Sequence, residues 1–311
     1  MRQSVHRYQV YGLSLESRLA LPGRRLTRRG PADVTLLPAG ASAFQRTARG
    51  RRAADWFQCR RLPSGSTYLC WSGLFEFLIS PNGRHIRYHR LSRGTSESFA
   101  TYLLGQVLSF SLLALGIEPL HGTAVAVNGE VSVFLGHNGY GKSTLGAALL
   151  RLGCPVVTDD LVVLDQQGSR YTVRPGIPRL KLFPRPARAL LGPGAGGERL
   201  NPGTAKLIVP LDARQVVDAR LPLRALYVLS GPEPDRDGAH LEIDPLPARE
   251  AFFTAIRSSF NTIVVDRARL ANQFAFASRL AGAVPVKRLA YPRRLSLLPA
   301  VCEAVLADIA G

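Results

Sequence analysis

Lysine is nearly absent from this sequence. Only Lys142, Lys181, Lys206 and Lys287 carry it, although Lys and Arg together number 40. Acidic residues are few as well: Asp and Glu total 22, which leaves a formal net charge of +18. Such a surplus can serve nucleic acid, an anionic membrane surface or an acidic substrate. Arginine in place of lysine along a whole chain follows as readily from the base composition of a genome, so the surplus selects no partner class. No helix-turn-helix, zinc or aromatic stacking motif accompanies it, which argues against a specific nucleic-acid binder. Cysteine is scarce too. Cys59, Cys70, Cys154 and Cys302 form no C-x-x-C pair. Their spacing suggests neither a zinc site nor a disulfide framework and fits reduced thiols in the cytoplasm. The opening Met1-Arg2-Gln3-Ser4-Val5-His6 has no apolar core of a signal peptide. Long apolar runs are missing with one exception. Residues 99–117 carry no charge and are just long enough to cross a bilayer. Thr101, Tyr102, Gln106, Ser109 and Ser111 dilute that run, so a buried core helix, not a membrane span, is the expectation.

What remains is ample for a core. The 311 residues are 46% hydrophobic with a mean hydropathy of +0.04, which predicts a folded protein of two domains or one large one. Residues 1–95 read as short strands broken by turns, a β-rich domain able to hold a peptide. The strand candidates are 8–13, 33–37, 55–60, 67–71, 74–80 and 85–90, with Ser80-Pro81-Asn82-Gly83 as a hairpin turn and 46–52 as an exposed loop. Residues 96–311 read as one α/β unit. A helix over 97–115 leads to strands at 123–127 and 131–135, joined by Asn128-Gly129. A helix then runs to Leu152, ended by Gly153. Residues 192–203 are rich in Gly and Pro and read as a mobile loop. Beyond 213, strands at 223–230, 240–245 and 285–290 alternate with helices at 247–260, 266–281 and 292–309.

Chemistry concentrates in one octet. Gly136-His137-Asn138-Gly139-Tyr140-Gly141-Lys142-Ser143 matches G-x-x-x-x-G-K-[ST]. It follows an apolar run and opens a helix that continues through Thr144. Glycines let backbone N–H groups converge on phosphate oxygens, and the helix N-terminus favours negative charge. Lys142 is placed to reach the β- and γ-phosphates of a nucleotide and Ser143 to hold Mg²⁺. Asp159-Asp160 follows the next apolar strand. One carboxylate can bind Mg²⁺ and the other can accept a proton from an attacking hydroxyl. Proximity of two carboxylates tends to raise one pKa. His121-Gly122 stands at a strand start nearby. Arg179 and Lys181 are candidates for contact with phosphate or an acidic peptide end.

His121-Gly122, the glycine-rich octet, Gly153 and Asp159-Asp160, in this order and spacing, resemble the kinase domain of HPr kinase/phosphorylase. The strong match covers about residues 119–165. The resemblance implies a P-loop kinase core of the HPr-kinase/PEP-carboxykinase type behind an N-terminal β-rich domain. It implies ATP and Mg²⁺ as cofactors, Asp159 as the base for a serine hydroxyl, Asp160 as an aid to Mg²⁺ binding, and His121 as a polar partner of Asp159. It also admits a homo-oligomer, since the family includes hexamers. The family's E-x-R-G-x-G signature has no counterpart; the corresponding stretch reads Pro175-Gly176-Ile177-Pro178-Arg179-Leu180-Lys181-Leu182-Phe183-Pro184. That argues against a bifunctional regulator of sugar transport. Tyr11-Gly12-Leu13-Ser14 with Leu21-Pro22, the 175–184 stretch and Tyr291-Pro292-Arg293 resemble the HPr-kinase-like enzymes of lasso-peptide biosynthesis. The implied partner is a precursor peptide or small protein with an acceptor serine, near the C-terminus in a lasso precursor. The alternatives are a kinase of another carrier protein or small molecule, and a non-catalytic ATP-binding regulator.

Overall fold

Alternation of apolar and polar residues, as in Leu13–Ser17 with every second side chain buried, makes sheet of the first part of the chain. The computed structural model describes residues 4–27, 30–48, 55–91, 94–231 and 241–311. They form two compact units, Met1–Ile117 and Glu118–Gly311. In the first unit eight strands lie side by side: Arg24–Arg25, His6–Val10, Leu13–Ser17, Val34–Pro38, His85–Arg90, Phe75–Ile79, Thr67–Trp71 and Phe57–Arg61. The strand expected over 8–13 is instead a hairpin. Tyr11 and Gly12 take φ of 50° and 76° and reverse the chain. Tyrosine rarely adopts that conformation, so its turn left no signal in the sequence. The turn at Ser80-Pro81-Asn82-Gly83 forms as expected, with Gly83 N donating to Ser80 O. The exposed loop expected over 46–52 is helical up to the end of Ser42–Ala48; its remainder lies outside the described residues.

The uncharged run 99–117 belongs to this first unit. Ser96–Tyr102 begins at a Thr95 cap whose side chain accepts from Ser98 N. The chain widens through the π-helical turn Leu103–Val107 and continues as Leu108–Ala114. Phe99 packs its ring 5.3 to 5.5 Å from those of Phe75, Phe77 and Tyr88. The division therefore falls between Ile117 and Glu118 rather than near residue 95, because this helix spends its apolar face on the first sheet. Among the described residues no helix is long and apolar enough to cross a membrane.

The second unit is α/β. Val156–Val162, Leu120–Val127, Glu130–Leu135, Leu221–Leu229 and Val286–Ala290 are consecutive neighbours in its sheet. The last three run parallel and the first two junctions are antiparallel. Asn128 and Gly129, both at positive φ, make the tight hairpin between Leu120–Val127 and Glu130–Leu135. Glu130–Leu135 is buried almost throughout, as a strand with both faces covered must be. One face packs on Lys142–Arg151, Pro184–Leu191 and Leu298–Ala310. The other packs on Ala248–Ser258 and Arg267–Ala283. Arg179–Leu182, Leu207–Pro210 and Glu198–Arg199 form a separate three-stranded sheet. It draws part of 192–203, expected as a loop throughout, into a strand.

Candidate active site

The loop expected to hold phosphate leaves the buried strand Glu130–Leu135 and enters the helix Lys142–Arg151. Gly136, Gly139 and Gly141 all have positive φ, which a side chain would strain. The helix that follows lies close on the sheet at Gly146, where a Cβ would stand 2.6 Å from Thr123 Cγ2. Lys142 is 6% exposed, and its Nζ donates to Gly136 O at 2.7 Å and His137 O at 3.0 Å. Burial, opposed by Asp159 and Asp160, brings its pKa down to about 8. The ammonium is thus poised to lose its charge within the range where enzymes are assayed.

Asp159 and Asp160 come from Val156–Val162, the strand paired with Leu120–Val127. Neighbouring residues of a strand point to opposite faces. Asp160 escapes that rule because its φ is 80°, a conformation aspartate tolerates better than most residues. Both carboxylates therefore line one cavity of about 80 Å³ with His121, Lys142, Ser143 and Lys181. Asp159 Oδ1 accepts from Thr123 Oγ1 at 2.6 Å and Ser143 Oγ at 2.9 Å, and its Oδ2 accepts from Lys181 N at 2.9 Å. Asp160 meets Lys181 Nζ at 2.5 Å and His121 Nδ1 at 3.5 Å. Burial alone would lift the Asp160 carboxyl; Lys181 and then His121 outweigh it and hold its pKa at about 2. Asp160 is lowered where close carboxylates tend to be raised, because the Lys181 ammonium stands against it.

His121 was expected beside Asp159 and lies on Asp160 instead. Its Nδ1 is 3.0 Å from Asp160 O and its Nε2 is 3.0 Å from Asn138 Oδ1. The same backbone twist that turns Asp160 into the cavity brings its carbonyl under the ring. Burial lowers the His121 pKa against the pull of Asp160. The ring also packs edge-on against Phe260, centroids 5.4 Å apart.

Mg²⁺ fits one edge of this arrangement. Ser143 Oγ and Asp159 Oδ1 stand 2.9 Å apart; two adjacent ligands of an octahedral ion with bonds of 2.0–2.1 Å lie about 2.9 Å apart. Among the described residues no group of three His, Cys, Asp or Glu side chains stands ready to hold a metal. Of the other expected residues, Asn138, Gly139, Gly141, Thr144 and Lys181 line the cavity. Arg179 is buried and does not. The ring of His137 packs on Tyr140 at 5.2 Å and neither lines the cavity. Sequence reading missed Thr123, Phe183 and Lys206. Lys206 Nζ sits 5.5 Å over the Phe183 ring at the cavity wall; its rarity as one of four lysines, three of them here, was the available signal.

No family model matches the sequence, and no curated protein matches it. Among solved structures, the Hpr(Ser) kinase/phosphatase from Coxiella burnetii aligns with a TM-score of 0.33 and 12% identity, over 61% of this chain and 95% of that one. A similarity that low assigns neither a fold nor an activity.

Proposed function

We propose that this chain is an ATP-dependent serine kinase acting on a peptide or small protein, of the kind that modifies a lasso-type precursor near its C-terminus. One observation carries the reading. A buried lysine, a serine hydroxyl and two carboxylates converge on one cavity at the mouth of a glycine-rich loop. Phosphoryl transfer asks for little else, since positioning and charge neutralisation do most of the work. The peptide as acceptor rests on the sequence resemblance.

In this reading Lys142 leaves its loop carbonyls for the phosphate oxygens. Ser143 and Asp159 would hold Mg²⁺, which would supply further neutralisation of charge. The acceptor hydroxyl attacks the γ-phosphorus, the bond to the β-phosphate oxygen breaks, and ADP departs. We assign the carboxylates differently from the resemblance. Asp159, which shares the Ser143 hydroxyl, is given to the metal. Asp160, steadied by His121 and Lys181, orients the acceptor hydroxyl and receives its proton. With a pKa of about 2 it serves more by orientation than by basicity.

Transfer of labelled γ-phosphate to a serine peptide, measured against Mg²⁺ concentration, tests both levels. Both Asp159→Asn and Asp160→Asn still bind ATP. Asp159→Asn raises the Mg²⁺ requirement about tenfold or more, in the range for a lost metal contact. Asp160→Asn leaves the requirement alone and lowers turnover by about 10²–10⁴. The reverse pattern returns the base to Asp159. Full activity in both variants, or label that goes only to a small molecule with no peptide present, sinks the proposal.

A further inference from the structure

A second cavity opens on the other flank of the loop. Its volume is about 590 Å³, against about 80 Å³ beside the aspartates. The two share Gly139, Gly141 and Thr144, so the loop and the first turn of its helix form a common sill. Small-molecule sites run to roughly 300–1,000 Å³. The second cavity falls in that range and the first is too small for a nucleoside.

Topology explains why the larger space lies where it does. Glu130–Leu135, Leu221–Leu229 and Val286–Ala290 are parallel neighbours, so the segments after all three emerge at one edge of the sheet, where open α/β sheets bind ligands. Val156–Val162 with its aspartates lies on one side of Glu130–Leu135, and Val286–Ala290 on the other. The residues after Val286–Ala290 therefore reach the loop from the flank opposite Asp159. They are Tyr291, Arg293, Arg294 and Leu295, and Arg185 and Pro186 face them across the cavity. Arg293 is fixed in place. Its Cζ lies 4.0 Å over the Tyr291 ring, Nη2 donates to Ser230 O and Nη1 to Tyr291 O. A Cβ on Gly141 would stand 3.8 Å from the Tyr291 hydroxyl and 3.9 Å from Arg293 Cδ. A guanidinium laid on an aromatic ring is a flat platform for a second planar group.

We infer, on the kinase reading above, that this cavity receives the nucleoside half of the nucleotide, with its polyphosphate crossing the sill toward the aspartates, and that it accepts any purine. The cavity wall includes no carboxylate and no carboxamide among the described residues. A base amino group finds no strong side-chain acceptor there, and N7, the acceptor that adenine and guanine share, can accept from an arginine without telling the two apart. Stacking holds the base without reading it.

Affinities of the full-length protein for MgATP, MgGTP and tripolyphosphate, by calorimetry, test this. The wild type is expected to bind ATP and GTP alike and tripolyphosphate about tenfold more weakly, a difference of one stacking contact. Arg293→Leu removes the platform. Ser296→Trp, at an exposed position on the rim, fills the cavity without touching the core. Each is expected to weaken both nucleotides about tenfold, and Ser296→Trp, which removes no charge, to leave tripolyphosphate unchanged. Unchanged nucleotide affinity in Ser296→Trp, or a parallel loss of tripolyphosphate, overturns the nucleoside site. Strong preference for ATP over GTP overturns the tolerance for any purine. A wild type that binds tripolyphosphate as well as ATP removes this inference and leaves the phosphate loop standing; one that binds neither removes the kinase reading as well.

Discussion

On one flank of the loop the charges are paired, Asp160 with Lys181 and Asp159 with hydroxyl and amide donors. On the other flank Arg185, Arg293 and Arg294 face a cavity whose described lining holds no carboxylate. Paired buried charges fix positions at the cost of desolvation and add little net field. An exposed cation such as Arg185 does the reverse: it draws anions in and holds them loosely. The first suits a reacting phosphoryl group and the second a group that must bind and leave. The two flanks should then respond differently when one charge is removed.

The largest effect is expected behind the paired flank. Arg269 donates to Glu118 at 2.8 Å and to the carbonyls of Val264 and Phe260, and both ends of this ion pair are buried. Phe260 in turn packs on His121. Arg269→Leu leaves a carboxylate that burial already pushes up in pKa with no cation. Breaking a buried pair from one side costs about 3–5 kcal/mol, to be read as a fall in the denaturant midpoint. A loss within the range of a surface substitution would show that the paired flank does not depend on this clasp.

Lys142→Met comes next. It removes the one ammonium buried at the loop, and transfer is expected to fall by about 10²–10³, as for loss of one preorganised donor. Single-turnover rates at saturating nucleotide check it; an intact rate would move the phosphate charge to Lys181 or Lys206.

How far such a site could be read from the sequence depended on how its residues are spaced. The loop packs its whole chemistry into eight successive residues, and Asp159-Asp160 are adjacent, so pattern alone found them. The direction of each carboxylate was not legible, because it hangs on one positive φ at Asp160 that no neighbour announces. Thr123 meets Asp159 only through strand pairing, and Lys206, just before Leu207–Pro210, lines the cavity from a stretch far along the chain. The same holds for the fold. Periodicity marked most strands, and the Asn128-Gly129 turn was visible because both residues favour positive φ. The hairpin at Tyr11-Gly12 was not, and the allegiance of 96–114 to the first unit is a matter of tertiary packing.

Acidity gives a gentler contrast between the flanks. With a pKa of about 8 in the free protein, Lys142 is charged below that pH and neutral above it. Phosphate binding favours the charged form, so above pH 8 each binding event must take up a proton. The terminal phosphate, with an ordinary pKa of about 6, stays ionised throughout. Nucleotide affinity is expected to fall toward tenfold per pH unit above 8, measured by calorimetry in buffers of different ionisation enthalpy. In Lys142→Met the slope disappears. A slope that persists there would place the titrating group elsewhere.

Arg185→Ala should produce the smallest change and sharpen the comparison most. Arg185 is an exposed residue of Pro184–Leu191 and reaches the large cavity from outside. Removing a solvent-facing charge of this kind costs about 0.2–1 kcal/mol, a few-fold in nucleotide affinity. That loss should shrink further at high salt, since screening acts on exposed charges before buried ones. The effect of Lys142→Met should hardly move with salt, because that ammonium is 6% exposed. Titrating both variants across ionic strength separates a flank that attracts from a flank that grips. Equal salt dependence in the two would mean that both flanks hold the nucleotide by the same exposed electrostatics.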